Sequence, residues 1–206
     1  MLKLYYAPGT CAVASHIALE ETGVDYEAVR LNFAAEDQRK ADYLAINPKG
    51  RVPALVTDRG TLTETPAILA YIAQTFPAAR LAPIEDPFAF AEVQAFNAYL
   101  CSTVHIAHAH RPRAYRWADD EAAIKAMQRK VAQNMTDCFD LIEAQMFKGP
   151  WVMGDSYTIA DPYLFTITRW LEGDSVDPRR FARVWDHHQR MLDRPAVARV
   201  LAAQAA

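Results

Sequence analysis

The sequence is poor in cysteine and lacks a long apolar run. Its three cysteines, Cys11, Cys101 and Cys138, are odd in number and far apart. They cannot form a disulfide framework and favour a reducing, cytoplasmic setting. No stretch reaches the roughly 18 apolar residues of a membrane span. The first residues do not have the pattern of a signal peptide, so we expect a chain without a secretory leader.

The sequence also carries little excess charge. Lysine and arginine total 22 and aspartate and glutamate total 25, which gives a formal charge of −3. This balance provides no general attraction for nucleic acid or an anionic membrane, so we expect neither as a partner. Apolar residues make up 51% and charged residues 23% of the 206 residues. That composition is typical of a globular protein and not of a disordered chain. The length corresponds to one large or two modest domains.

The first 76 residues have short apolar runs broken by glycine and proline. Their periodicity predicts the order β-α-β, an irregular segment over 32–41, and then β-β-α. The predicted strands are 2–6, 26–31, 54–57 and 61–63, and the predicted helices are 11–22 and 65–76.

The rest of the chain is predicted to be helical after a linker. Three prolines and no sustained periodicity over 77–87 predict the linker. The helices that follow are predicted over 88–110, 119–148, 160–172, 181–193 and 196–203. We therefore expect an α/β domain over residues 1–77 and an all-α domain over residues 88–206.

Cys11 is the first candidate for chemistry. It follows a break at Pro8 and Gly9 and opens the first predicted helix. Unpaired N–H groups and the positive end of the helix dipole favour a thiolate at such a place, so the pKa of Cys11 can be lowered. A buried, inert cysteine under the first helical turn is an equally good interpretation.

Two further candidates lie where secondary-structure elements begin. A cis bond between Val52 and Pro53 would turn the Val52 backbone outward, ready to pair with a peptide-like ligand. A trans proline at a strand start is the more frequent arrangement. Thr65 is placed to cap the helix that begins at Pro66. A helix N-terminus also suits a ligand carboxylate, and Glu64 could then hold a ligand ammonium.

These segments resemble a known family in order and spacing. The stretches over 4–11, 47–55 and 62–65 are similar to the glutathione-binding domain of the glutathione S-transferases, the bacterial beta class in particular. The resemblance extends over nearly the whole chain. It implies a thioredoxin-like N-terminal domain followed by an all-helical domain that forms the electrophile site. It also implies glutathione as cosubstrate, a cytoplasmic homodimer, and detoxification of small electrophiles as the role.

The resemblance also assigns roles on the sheet side. Val52 would pair its backbone with the cysteinyl unit of glutathione, ahead of a cis Pro53. Glu64 and Thr65 would bind the γ-glutamyl ammonium and carboxylate. Cys11 lies where the beta class has a cysteine that faces the glutathione sulfur and can form a mixed disulfide with it.

On the helical side, His105 lies where the beta class has a histidine that faces the same sulfur. Without the resemblance, it is an ordinary helix histidine with a satisfied hydrogen bond. Trp170 resembles an aromatic residue of the electrophile pocket, although core packing explains it equally well. Tyr115, together with Arg113 and Trp117, could line the same cleft.

Two further residue pairs in the helical half are not assigned a catalytic role. Cys101 and His105, four residues apart, could serve as two metal ligands, but no further cluster completes a shell, so we expect no metal. Thr158 and Asp161 have the spacing of a capping box that starts a helix. The pair also matches the helix-capping motif of the family's second domain.

Two positions depart from the beta-class pattern. The loop over 34–40 lacks a clear match to the lysine that helps hold glutathione, and Arg39 or Lys40 could substitute. The position that usually carries an asparagine on the His105 helix is Ala98. Asn97 lies one residue and about 100° away, so it cannot be assumed to reach the same ligand.

The sequence is compatible with three functions. The leading hypothesis is a glutathione transferase, in which the glutathione thiolate attacks a small electrophile. Thiol–disulfide or peroxide reduction through Cys11 is a second activity that the same site could support. A non-catalytic glutathione-binding or regulatory module with the same fold is the alternative.

Overall fold

A computed structural model describes residues 1–205, and its N-terminal part is built on a four-stranded sheet. The strands are β1 (Leu2–Tyr6), β2 (Tyr26–Arg30), β3 (Ala54–Thr57) and β4 (Gly60–Thr63), in the order β2-β1-β3-β4. Strands β1 and β2 are parallel, whereas β1 pairs with β3 and β3 with β4 in antiparallel register. This mixed sheet confirms the thioredoxin-like order predicted from the sequence.

Three helices accompany the sheet: α1 (Ala12–Thr22), α2 (Ala41–Ile46) and α3 (Thr65–Thr75). Helix α1 is the crossover that two neighbouring parallel strands require. It ends at Gly23, whose φ of 69° suits glycine and whose N–H donates to the Glu20 carbonyl. The segment predicted as irregular contains two short 3-10 turns before α2.

The remainder of the chain is helical. The helices are α4 (Pro87–Tyr99), α5 (His105–Arg113), α6 (Glu121–Leu141), α7 (Ala160–Thr168), α8 (Ala182–Leu192) and α9 (Pro195–Ala205). Across residues 1–205, no helix is both long and apolar enough to cross a membrane. Ala206, the last residue of the predicted all-α domain, lies outside the described residues.

Two helices are less regular than the sequence predicted. The predicted helix 88–110 is interrupted by a π turn over Leu100–Val104 that joins α4 to α5. A second π turn, Ile142–Met146, ends the predicted helix 119–148. Each π turn adds one residue to the helical register, so the helical faces before and after it are offset by about 100°.

Helix α1 is buried on both sides. Ala14 and Ala18 belong to a core cluster with Leu4 of the sheet. On the other side, Val13 and Ile17 belong to a cluster with residues of the helical region, namely Phe165, Met191, Val197 and Val200. The start of α1, where Cys11 lies, is therefore fixed by packing against both parts of the chain.

Two predicted helix starts have different outcomes. At α7, the buried Asp161 carboxylate accepts the Thr158 N–H at 2.6 Å, which confirms that half of the capping box. The prediction that Thr65 caps α3 is wrong. Thr65 is the first residue of the helix, and the cap position belongs to Glu64, whose φ is 72°. The Thr65 side chain instead lines the cleft beside Cys11 and lowers the pKa of its thiol.

Candidate functional site

A cleft of about 450 Å³ lies between the sheet region and the helical region. The loop before α1, the segment before β3 and the start of α3 form one wall. Helix α5, the turn after it and α7 form the other. The structure brings into this cleft every site residue predicted from the sequence: Cys11, Val52, Pro53, Glu64, Thr65, His105, Tyr115 and Trp170.

Cys11 lies at the N-cap position of α1 and faces the segment before β3. Its thiol donates to the Val52 carbonyl oxygen at 3.5 Å. Burial raises the pKa of the Cys11 thiol, and this effect exceeds the lowering by the Thr65 hydrogen bond and the Arg113 charge. The prediction that the helix start lowers this pKa is therefore wrong, because removal of water from the thiolate outweighs the hydrogen bonds and the positive charge that favour it. At neutral pH, Cys11 is a thiol.

The Val52–Pro53 peptide bond is cis, as the resemblance implies. The antiparallel ladder of β3 begins only at Ala54. The backbone of Val52 is therefore outside the sheet pairing and lines the cleft. An extended peptide can pair with backbone groups placed in this way.

Glu64 already holds a cation in this structure. The Lys49 ammonium lies 2.5 Å from its carboxylate and also donates to the Thr63 hydroxyl at 2.7 Å. Arg39 lines the cleft, whereas Lys40 is paired with Asp37 at 2.6 Å. Of the two cations considered for the loop, Arg39 is thus the one that faces the site.

His105 is a neutral imidazole. Burial lowers the pKa of His105 to about 3, and the positive charge of Arg113 adds to the effect. An Arg113 guanidinium nitrogen lies 3.4 Å from the His105 Nε2 atom, which can accept its hydrogen because the ring is unprotonated. The ring centroids of His105 and Trp170 are 4.9 Å apart.

A buried carboxylate behind Trp170 was not predicted. Asp174 accepts hydrogen bonds from His108 Nδ1 and from Arg111 Nε, both at 2.7 Å. The His108 ring stacks on Trp170 with a centroid distance of 4.3 Å. Asp174 follows α7 in an irregular segment without a motif, so the sequence contained no signal for this network.

The site also includes a tyrosine that sequence reasoning missed. Tyr163 of α7 lines the cleft, as does Cys101. Burial raises the pKa of the Tyr163 hydroxyl well above the ordinary value. Helical periodicity cannot distinguish such a residue from a core tyrosine. Asn97 is fully buried and Ala98 exposed, and neither belongs to the cleft lining.

These features define a class of protein. The thioredoxin-like sheet, the cysteine at the start of its first helix and the backbone that lies outside the strand ladder before a cis proline form one half of a site. That half suits a thiol-containing peptide. A helical region supplies the other half.

Comparisons with known proteins identify the family. Family sequence models for the glutathione S-transferase N-terminal domain and C-terminal domain match residues 1–74 and 121–203. The chain is 32% identical over 206 residues to glutathione S-transferase GstA of Escherichia coli, with 98% of each chain covered. The chain therefore belongs to the glutathione S-transferase family.

Solved structures agree over the whole length. A glutathione transferase homolog from Sulfitobacter with bound glutathione is 45% identical, with a TM-score of 0.95 and 98% of each chain covered. A bacterial beta class glutathione S-transferase of Sphingomonas chungbukensis is 31% identical, with a TM-score of 0.85 and the same coverage.

Proposed function

We propose that this protein is a glutathione transferase that conjugates the glutathione thiolate to small electrophiles. One observation carries the proposal: the candidate peptide-binding residues and Cys11 lie on one wall of the cleft, and His105 lies on the opposite wall. Family membership supports the cosubstrate, because relatives with this fold were solved with bound glutathione.

Glutathione lies along the sheet wall in this proposal. The Val52 backbone, ahead of Pro53, pairs with the cysteinyl unit. Thr65 binds the γ-glutamyl carboxylate, and Glu64 binds the ammonium in place of the Lys49 ammonium that it contacts in this structure. A carboxylate that pairs with one ammonium has the charge and geometry to pair with another.

The sulfur of glutathione lies between Cys11 and His105. The Cys11 thiol, protonated at neutral pH, donates a hydrogen bond to the glutathione thiolate. The neutral His105 ring can hydrogen-bond to the glutathione thiol or thiolate, but with a pKa of about 3 it is too weak a base to take the thiol proton. The nearby positive charge of Arg113 favours the thiolate, since an opposite charge stabilises the ionised form.

Reduction of disulfides or peroxides by Cys11 is less well supported. Such chemistry needs a thiolate at the working pH, whereas burial raises the pKa of Cys11. We therefore assign the nucleophilic role to glutathione and a hydrogen-bonding role to Cys11.

The electrophile lies against the helical wall, where Tyr115 and Trp170 supply aromatic surface. We propose the divisions 1–77 for the glutathione-binding domain and 88–206 for the domain that holds the electrophile. We also propose a cytoplasmic homodimer with a role in detoxification. The three free cysteines suit a reducing compartment, and light scattering of the purified protein measures the oligomeric state.

Calorimetric titration with glutathione and an assay with 1-chloro-2,4-dinitrobenzene test the function together. We expect saturable glutathione binding below millimolar concentration and glutathione-dependent formation of the conjugate. Cys11→Ala should retain most of the conjugation, because the nucleophile is glutathione. No glutathione uptake at millimolar concentration would refute the proposal. Binding without turnover of any electrophile, disulfide or peroxide would favour the non-catalytic module.

A further inference from the structure

The cleft lining carries a surplus of positive charge. Four arginines line it: Arg39, Arg51, Arg113 and Arg116. Among the described lining residues, Glu64 is the only carboxylate, and Lys49 already neutralises it. Arg39 has a partner in Glu36, at 3.5 Å. Three cations of the cleft therefore have no acidic partner within residues 1–205.

Two of these three cations belong to the helical wall. Arg113 is the last residue of α5, and Arg116 lies in the 3-10 turn that follows. Arg51 is adjacent to Val52, a proposed glutathione contact, and belongs to the sheet wall. A guanidinium nitrogen of Arg113 lies 3.4 Å from the His105 Nε2 atom. The guanidinium is therefore close to the place where the two substrates meet.

The positive charge is costly without a ligand. Arg113 is partly buried, and its pKa is lowered by burial and by the charge of Arg116. Two neighbouring guanidinium groups repel one another, and a buried cation is unfavourable unless it is paired. His105 is neutral and supplies no counter-charge. A bound anion would pair with both arginines and remove this cost.

Aromatic side chains beside the arginines define the shape of the ligand. Tyr115 and Trp117 line the same wall and are 54% and 46% exposed, which is unusual for such large side chains. Their faces suit a planar ring, and guanidinium groups suit a planar carboxylate.

We infer that the electrophile of this enzyme is a small planar molecule that bears an anionic group, bound by Arg113 and Arg116. This inference rests on the proposed function and specifies the class of its second substrate. The reaction transfers the carbon electrophile to the glutathione sulfur, and the leaving group departs with its bonding electron pair. The anionic substituent takes no part in the bond changes.

A matched pair of substrates tests the inference. 4-Chloro-3,5-dinitrobenzoate and its methyl ester have the same ring and the same leaving group, and differ in the charge of one substituent. Each kcat/KM at saturating glutathione is divided by the uncatalysed rate of the same compound with glutathione. We expect the wild-type enzyme to prefer the benzoate by roughly tenfold on this corrected scale, as a charge-assisted ion pair would give. High salt should reduce the preference.

Variants connect the preference to the two arginines. In Arg113→Gln and in Arg116→Gln, the corrected ratio of benzoate to ester should fall towards 1. Arg129→Gln, which removes an exposed arginine of α6, should leave the ratio at the wild-type value. A wild-type ratio near 1, or a ratio that neither variant changes, overturns the inference. An unchanged ratio with a raised KM for glutathione would show that the arginines bind the glycine carboxylate of glutathione instead.

Binding of the products gives a reading that does not depend on turnover. The glutathione conjugates of the benzoate and of its methyl ester are titrated into the same proteins by calorimetry. Tighter binding of the anionic conjugate, lost in Arg116→Gln, supports the inference, and equal affinities refute it. One outcome is that the benzoate and its methyl ester show equal corrected kcat/KM values, and their conjugates equal affinities, while 1-chloro-2,4-dinitrobenzene is still conjugated. In that case the inference fails and the proposed function stands.

Discussion

Trp170 donates its indole N–H to the Gly9 carbonyl oxygen at 2.9 Å and thereby joins the two walls of the cleft. Gly9 precedes Cys11 by two residues, whereas Trp170 follows α7 in the helical region. The same indole contacts the rings of His105 and His108. One side chain thus connects the loop that carries the cysteine to the helix that carries the histidine.

Replacement of Trp170 by phenylalanine should separate the role of this hydrogen bond from that of the ring. Trp170→Phe keeps an aromatic ring but cannot donate to Gly9. We expect a loss of about 1 kcal/mol in the free energy of unfolding, together with weaker glutathione binding, because the loop before Cys11 is less well held. Urea denaturation and calorimetry measure the two effects. Trp185→Phe, on α8, is the matched control. Unchanged glutathione affinity in Trp170→Phe would contradict the positioning role.

The buried network of Asp174 with His108 and Arg111 should stabilise the folded protein. The Asp174 carboxylate accepts from both side chains, and Asp174→Asn keeps the shape but removes the charge. Breaking a fully buried pair costs about 3–5 kcal/mol. Since Arg111 is half exposed, we expect about 2 kcal/mol in the free energy of unfolding, measured by urea denaturation. Asp155→Asn, at an exposed position, should cost little. Equal losses in the two variants would show that the network contributes nothing specific.

Local patterns were sufficient to predict the elements of the fold but only part of the site. Apolar periodicity and the turn residues around Gly60 predicted the order of strands and helices along the chain, whereas the thioredoxin-like arrangement of the strands came from the family resemblance. The spacing of Thr158 and Asp161 predicted the start of α7. These signals are local, so a single sequence contains them. The pairing of His108 with Asp174 joins positions 66 residues apart in the chain, and no local pattern indicates it.

The pKa of Cys11 also depends on contacts between distant parts of the chain, which local patterns do not indicate. Its place at the start of α1 predicts a lowered pKa, because that effect depends on neighbours in sequence. The raised pKa depends on the burial of Cys11 by distant segments, among them Val52 and Thr65. Burial is a property of the packed chain and could not be derived from the motif.

Cys11 should therefore react slowly with alkylating reagents at neutral pH. Burial raises the pKa of its thiol, and the thiolate is the reactive form. We expect its rate with iodoacetamide at pH 7 to be at least about tenfold below that of free glutathione, and to increase as the pH rises above the ordinary thiol pKa near 9. Mass spectrometry of the digested protein measures the site and the rate. Alkylation at pH 7 as fast as that of free glutathione would contradict the assignment and favour a reductase.

The neutral state of His105 should make the folded protein sensitive to acid. Its pKa is lowered from 6.5 to about 3, so between these values the unfolded chain binds a proton here that the folded chain does not. The free energy of unfolding must then fall as the pH is lowered through this window. Between pH 7 and pH 5, this one group accounts for about 2 kcal/mol.

Urea denaturation at pH 7 and at pH 5 measures the change in the free energy of unfolding between the two values. This change should be smaller by about 2 kcal/mol in His105→Gln than in the wild type. His110→Gln, on the same helix, serves as the control. If wild type and His105→Gln show the same pH dependence, His105 has an ordinary pKa in the folded protein, and the conclusion that burial keeps it neutral down to pH 5 is wrong.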